Sequence, residues 1–185
     1  MLIVADGAPW LIKAIEQCWP HSDRQHCSVH RLRNLLAKLP KRERERVRQV
    51  YWEALDEATD ERGGAKRLGA LVEQLDRAGY TAAARCLGDN LQALVVHLRY
   101  PPRHRRRWRS TNLLERSLGE VKRRTTVIGR FPGETSCLSL VWAVLDLVIS
   151  HASNGINFNE LDRQRLYRLR CQPAQQETPE EVSAA

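Results

Sequence analysis

No pattern of paired cysteines runs through this chain. Its five cysteines, Cys18, Cys27, Cys86, Cys137 and Cys171, are odd in number and widely spaced, which excludes a disulfide framework and points to a reducing compartment. The start of the chain carries no charged region followed by an apolar run and a small-residue cleavage site, so a signal peptide is not expected. No apolar run reaches bilayer length. The longest, Leu138 to Ile149, is interrupted by Asp146 and reads as a buried helix. Acid is also in short supply, with 22 Asp and Glu against 30 Lys and Arg in 185 residues. That length suits one domain with a core, or a core with one insertion, more than two independent domains.

The basic excess is local. Of the net charge of +8, the segment from Arg99 to Arg130 supplies more than the whole, with eleven basic residues and two acids. Such a patch fits a polyanion, and nucleic acid suits it better than a membrane because no bulky apolar face accompanies it. A merely solvated charge run is the bland alternative.

Chemistry concentrates at two places. Leu2 to Ala5 form a short apolar strand that stops at Asp6-Gly7, and Pro9 opens a helix through Leu11, Ile12 and Ile15. Asp6 thus stands where ligands of open α/β sheets bind, unless it is only a turn or helix N-cap residue. The second place is the helix that follows Ser110-Thr111-Asn112. There Glu115 lies in the first turn among arginines, with Leu114, Leu118 and Val121 spaced to bury one face. Asn112 and Glu115 also have the spacing of a capping box, in which the acid would only satisfy backbone donors. Gly119, one turn on, leaves room beside the carboxylate.

Between these places, Arg24 to Val29 suggest a second short strand leading through Cys27-Ser28-Val29-His30 into a helix that Pro40 stops. Cys18, His21, Cys27 and His30 carry zinc-ligand chemistry, though the gap between the pairs is short for a finger. A buried thiol and a hydrogen-bonded histidine are the alternative. From Lys41 to Arg99 the pattern is helical. One helix holds Val47, Val50, Tyr51 and Leu55 and ends at Gly63-Gly64. A second holds Leu68 to Leu75 and ends near Gly79, and a third runs from Leu87 to Leu98 and ends at Pro101-Pro102. Trp108 either stacks on a base or packs internally. A turn-rich break covers 154–159, a basic helix reaches about Arg170, and 171–185 has the composition of a disordered tail.

Asp6 at a strand end, Gln25-His26-Cys27-Ser28-Val29-His30-Arg31, Arg33-Asn34-Leu35-Leu36, Ser110-Thr111-Asn112 ahead of Leu114-Glu115-Arg116, Lys122-Arg123-Arg124-Thr125 and Val127-Ile128-Gly129-Arg130-Phe131-Pro132 together resemble the Mutator-type transposases of bacterial insertion sequences. The resemblance implies a mostly helical α/β chain, the C-terminal half of a ribonuclease H-like core. That core would comprise 1–40 and 100–150, interrupted by an all-helical insertion over 41–99 and followed by a short helix over 151–170. It makes Asp6 and Glu115 the second and third acids of an Asp-Asp-Glu triad and metal ligands, with Cys27 and His30 as the Cys-x-x-His signature. Two magnesium (or manganese) ions would serve cleavage and strand transfer.

The implied partner is DNA, as transposon ends and target, bound by a homo-oligomer in the bacterial cytoplasm at the nucleoid, with no membrane. Arg105, Arg106, Arg107 and Arg109 from the basic patch, with Arg116, Lys122, Arg123 and Arg124, would meet phosphates. The family's first acid lies on a strand ahead of the second, for which this sequence has no room. The chain is therefore expected to be the C-terminal part of a transposase that does not cut DNA alone. A non-catalytic nucleic-acid-binding module is the competing reading.

Overall fold

Strand β1 (Leu2–Ala5), helix α1 (Pro9–Cys18) and strand β2 (Asp23–His26) form one βαβ unit in the computed structural model, which describes residues 1–153 and 156–171. The strands pair in parallel, from Leu2 opposite Asp23 to Ala5 opposite His26. β2 stops three residues before the expected Val29, because Cys27 is already the N-cap of α2 (Ser28–Ala37). Cys27 and His30 therefore lie one helical turn apart at the carboxyl end of the sheet.

β2 is polar, and its order comes from side-chain bonds. Gln25, fully buried, donates to the Leu94 carbonyl (2.9 Å) and accepts from the His97 backbone N–H (2.8 Å). Asp23 accepts from Arg99 and from the Tyr100 hydroxyl, both at 2.6 Å. These partners lie in or beside the helical interval, which is thus built onto β2.

That interval comprises α3 (Lys41–Asp56), α4 (Glu61–Arg77), α5 (Thr81–Gly88), α6 (Gln92–Val95) and a 3-10 turn over Val96–Arg99. The main hydrophobic core is here. Leu35, Val47, Tyr51, Leu68, Leu71, Leu75, Leu87, Leu94 and Leu98 are all buried in one cluster, which α2 joins through Leu32, Leu35 and Leu39.

Two helix ends differ from expectation. Gly63-Gly64 do not terminate α3; they lie inside α4, whose N-cap Asp60 accepts from the Gly63 N–H at 2.7 Å. Gly64 is required by close packing, since a Cβ there would sit 2.5 Å from Leu98 Cδ1 and 3.1 Å from Val95 Cγ1. The expected third helix is divided at Asp89-Asn90, where Asn90 takes the left-handed conformation (φ 57°) that Asn tolerates better than most residues. Gly79, with φ 81°, follows α4 as expected.

A short 3-10 turn at Pro102–His104 and α7 (Arg105–Trp108) lead to α8 (Asn112–Thr126), α9 (Glu134–Ser153) and α10 (Glu160–Cys171). Trp108 packs internally, stacked on His104 (5.0 Å) and edge-on to Tyr100 (5.7 Å). The expectations for α8 and α9 need correction. Leu114 and Leu118 are exposed and Ser117 is the buried residue of α8; on α9, Val144 is buried whereas Leu138, Trp142, Leu147 and Ile149 are exposed. The reason is geometric: α8 and α9 pack mainly on each other, and a helix apolar on all sides buries only the stripe that meets a neighbour. By length and composition alone, Glu134–Ala152 is also long and apolar enough to cross a membrane, whereas the run Leu138 to Ile149 was too short for that. The expected tail beyond Cys171, and residues 154–155 of the expected break, lie outside the described residues.

Candidate active site at the carboxyl end of the sheet

Cys27 fastens three elements at one point. Its backbone N–H donates to the Ala5 carbonyl (2.7 Å), continuing the ladder past the last strand pair, and the next N–H, of Ser28, donates to the Arg109 carbonyl (2.8 Å). The sulfur, fully buried, accepts from the Thr111 backbone N–H at 3.4 Å. Arg109 and Thr111 sit directly ahead of α8. The first turn of that helix, and with it Glu115, is thereby held against the sheet end from which Asp6 emerges.

The acids have different surroundings. Glu115 Oε1 accepts from the Thr111 hydroxyl at 2.9 Å and faces His30 Nε2 at 3.5 Å. The anticipated capping box is not formed: Thr111, not Asn112, occupies the N-cap, and no side chain caps the backbone there. Glu115 is thus left with its carboxylate turned to His30 and Thr111, about half exposed, beside a Gly119 whose Cβ position is open. Asp6 is exposed, and its Oδ1 accepts from the Ala8 N–H at 3.1 Å, a turn contact that leaves Oδ2 open.

His26 lies beside Asp6, and pattern reading passed over its role. Its ring lies across Gly7, where a Cβ would come within 2.2 Å of His26 Cε1, and Gly7 has φ 96°. Only glycine fits there. Burial, then the Arg31 guanidinium 3.3 Å from Nδ1, pull the His26 pKa down to about 4, so the ring is neutral at pH 7. The signal was present in the sequence as Asp6-Gly7 at one strand end facing Gln25-His26 at the other.

The hard carboxylate oxygens of Asp6 and Glu115 suit magnesium, which seldom takes a full protein cage. Among the described residues, however, no group of three or more His, Cys, Asp or Glu is gathered tightly enough to hold a metal by itself. The four residues of the zinc reading, Cys18, His21, Cys27 and His30, form no such group either, and Cys18 is exposed.

The basic cluster divides into occupied and available cations. Arg105 donates to the carbonyls of Tyr100, Ala58, Thr59 and Leu98, so it fastens the helical interval to the chain that follows it. Arg109 is largely buried; it pairs with Asp56 at 2.5 Å and lies 4.3 Å over the Trp52 ring. Arg106 reaches the same Asp56 (3.3 Å), and Arg107 donates to the Ala152 carbonyl (2.9 Å). Arg123 and Arg124 both bind Glu120, holding its carboxyl down to about 2. Glu120 had no place in the sequence reading. Arg116 and Lys122 have no side-chain partner among the described residues and stand exposed on α8.

The sequence model described as "Transposase, Mutator family" matches residues 1–151. The transposase for insertion sequence element ISRM5 of Rhizobium meliloti is 31% identical over 179 residues, covering 91% of this chain and 43% of the relative. The transposase for insertion sequence element IS256 in transposon Tn4001 of Staphylococcus aureus is 30% identical over 164 residues, with 86% and 42% covered. The transposase for IS1081 of Mycobacterium tuberculosis is 32% identical over 155 residues, with 78% and 34% covered. The chain spans less than half the length of the curated relatives it matches.

Proposed function

The chain belongs to the Mutator family of transposases, and from that premise we propose that it carries part of the DNA strand-transfer site of an insertion-sequence transposase. Asp6 and Glu115 would be two of the acids that hold divalent magnesium. The observation that carries the reading is the Thr111 N–H bond to Cys27, which draws the first turn of α8 to the sheet end where Asp6 stands.

In this reading β1 and β2 belong to a ribonuclease H-like sheet, and the insertion is a platform that orders β2 and the approach to α8. Bound magnesium would lower the cost of charge on the attacking and departing oxygens of a phosphodiester. The chain's own groups have narrower tasks. Asp6 Oδ2 and the Glu115 carboxylate present hard oxygens, His30 flanks Glu115, and neutral His26 walls the site on the Asp6 side without adding positive charge. Arg116 and Lys122 are the first candidates to meet DNA phosphates, while Arg123 and Arg124 do so once they release Glu120. Assembly on DNA as a homo-oligomer, in the cytoplasm at the nucleoid, belongs to the same proposal.

Among the described residues no group of three or more His, Cys, Asp or Glu is gathered around a metal position, and in this reading the isolated chain binds DNA and does not cut it. The test incubates the purified chain with duplex DNA and Mg²⁺ or Mn²⁺. Salt-sensitive binding weakened in the Arg116→Ala/Lys122→Ala double variant, without cleavage, supports the reading. Metal-dependent cleavage abolished by Asp6→Asn would refute the inactivity and identify the acid at once. The second reading, a non-catalytic DNA-binding module, draws on the Asp6 bond to Ala8. It predicts that neither Asp6→Asn nor Glu115→Gln alters Mn²⁺ binding.

A further inference from the structure

The Thr111 side chain touches Glu115, Cys27 and His30, and none of the roles assigned above falls to its hydroxyl. Its hydroxyl lies 2.9 Å from Glu115 Oε1, 3.4 Å from Cys27 Sγ and 3.4 Å from His30 Nδ1. A hydroxyl has one proton and two lone pairs, so these contacts cannot all be donations. The carboxylate is the closest partner, charged and acceptor-only, and takes the proton. Cys27 Sγ already accepts the Thr111 backbone N–H. Its remaining contact with the hydroxyl is satisfied when the thiol S–H donates to Oγ1. The two residues then form a directed chain, S–H to Oγ1 and O–H to carboxylate, with the His30 ring beside both Oγ1 and Glu115.

We propose that Thr111 is a positioning residue for Glu115, and that Cys27 acts through it by fixing the direction in which the hydroxyl donates. The inference rests on the reading of Glu115 as a metal-facing acid, and adds the reason a buried cysteine stands one turn before His30. A purely structural role is set apart by one observation: the Thr111 side chain caps no backbone donor of α8. Removing its hydroxyl therefore removes no helix cap.

The experiment compares Thr111→Val, which keeps the shape and loses the hydroxyl, with Thr111→Ser, which keeps the hydroxyl. The first readout is the three-bond coupling across Cα–Cβ of Glu115 in the metal-free chain. The parent and Thr111→Ser show one rotamer, and Thr111→Val shows averaging. The second is Mn²⁺ affinity, which falls about tenfold in Thr111→Val and is restored in Thr111→Ser, the size expected for losing a hydrogen-bond partner of a metal ligand. An unchanged Glu115 coupling in Thr111→Val overturns the proposal. If the parent binds no Mn²⁺, the metal reading of the site falls by itself, and the coupling still decides the role of Thr111. Should Thr111→Val fail to fold, Cys27→Ala against Cys27→Ser gives the same comparison from the other end: averaging in the first and one rotamer in the second are required.

Discussion

The helical interval from Lys41 to Arg99 and the α8–α9 pair are both built of helices joined by short turns, and they differ in what they bury. The interval closes its own core around Leu68, Leu71 and Leu75, all with at most 1% of their surface exposed. The α8–α9 pair carries Glu115 and leaves Leu118 and Trp142 in solvent. The main core and the candidate site's Glu115 are thus carried by different parts of the chain. The first part orders β2 and receives Arg109; the second presents the acid and the free cations.

This contrast can be broken most directly in the cores. Leu71→Ala is expected to cost about 2–5 kcal/mol, the range for a fully buried leucine, whereas Leu118→Ala should stay within about 0.5 kcal/mol. Urea unfolding of the two variants is the check, and equal losses would mean that α8 is buried in solution. Acid should act on the same side of the comparison. Burial, then Arg109, hold the His97 pKa down to about 4, and its Nδ1 lies 3.1 Å from Gln25 Oε1.

An unfolded histidine titrates near 6.5, so the folded state binds fewer protons between these values. The stabilisation is complete above about pH 6.5 and is lost as pH falls towards 4, up to about 3 kcal/mol in all for His97. His26, shifted in the same direction, adds to the loss. Unfolding midpoints at pH 7 and pH 5 measure this, and His97→Gln should flatten the slope.

Glycines sharpen the comparison at smaller scale. Gly64→Ala forces a Cβ to within 2.5 Å of Leu98 Cδ1, and overpacking of that kind costs about 1–3 kcal/mol. Gly119→Ala meets nothing within 4 Å and should gain up to about 1 kcal/mol from helix propensity. Opposite signs in the two melting temperatures support the division. Weakest of the four is the link between the regions. Arg109→Ala removes the Asp56 pair and the Trp52 contact, for a loss of about 1 kcal/mol, readable as earlier exchange of the Ser28 amide that donates to the Arg109 carbonyl.

The sequence was most informative where one residue type had one physical use. Pro9 opened α1, Gly79 closed α4, and the apolar run Leu2 to Ala5 became β1. It misled where pattern stood in for neighbours. Leu114, Leu118 and the apolar ring of α9 have the periodicity of a core, but periodicity does not state what lies opposite. Gly63-Gly64 read as a stop because close approach of Val95 and Leu98 is invisible from local composition. At the candidate site, Cys27, His30 and Glu115, which the structure brings together around Thr111, were named through the family resemblance, as was Asp6 at the end of β1. Thr111 and His26 were not, because their contacts with Cys27, His30 and Gly7 join segments distant in sequence; Glu120 was passed over although its partners Arg123 and Arg124 lie one turn along α8. The arginines were legible as charge and illegible as partners: Arg105 and Arg109 are spent on carbonyls, Asp56 and Trp52.

The central claim is that Asp6 and Glu115 serve one cation. Adding Mn²⁺ to isotope-labelled chain and following paramagnetic broadening tests it residue by residue. The account predicts that resonances of Asp6 and Glu115 broaden together at the same metal concentration, and that either Asp6→Asn or Glu115→Gln abolishes the effect at both. Broadening of one acid that survives removal of the other, or of neither, would contradict it.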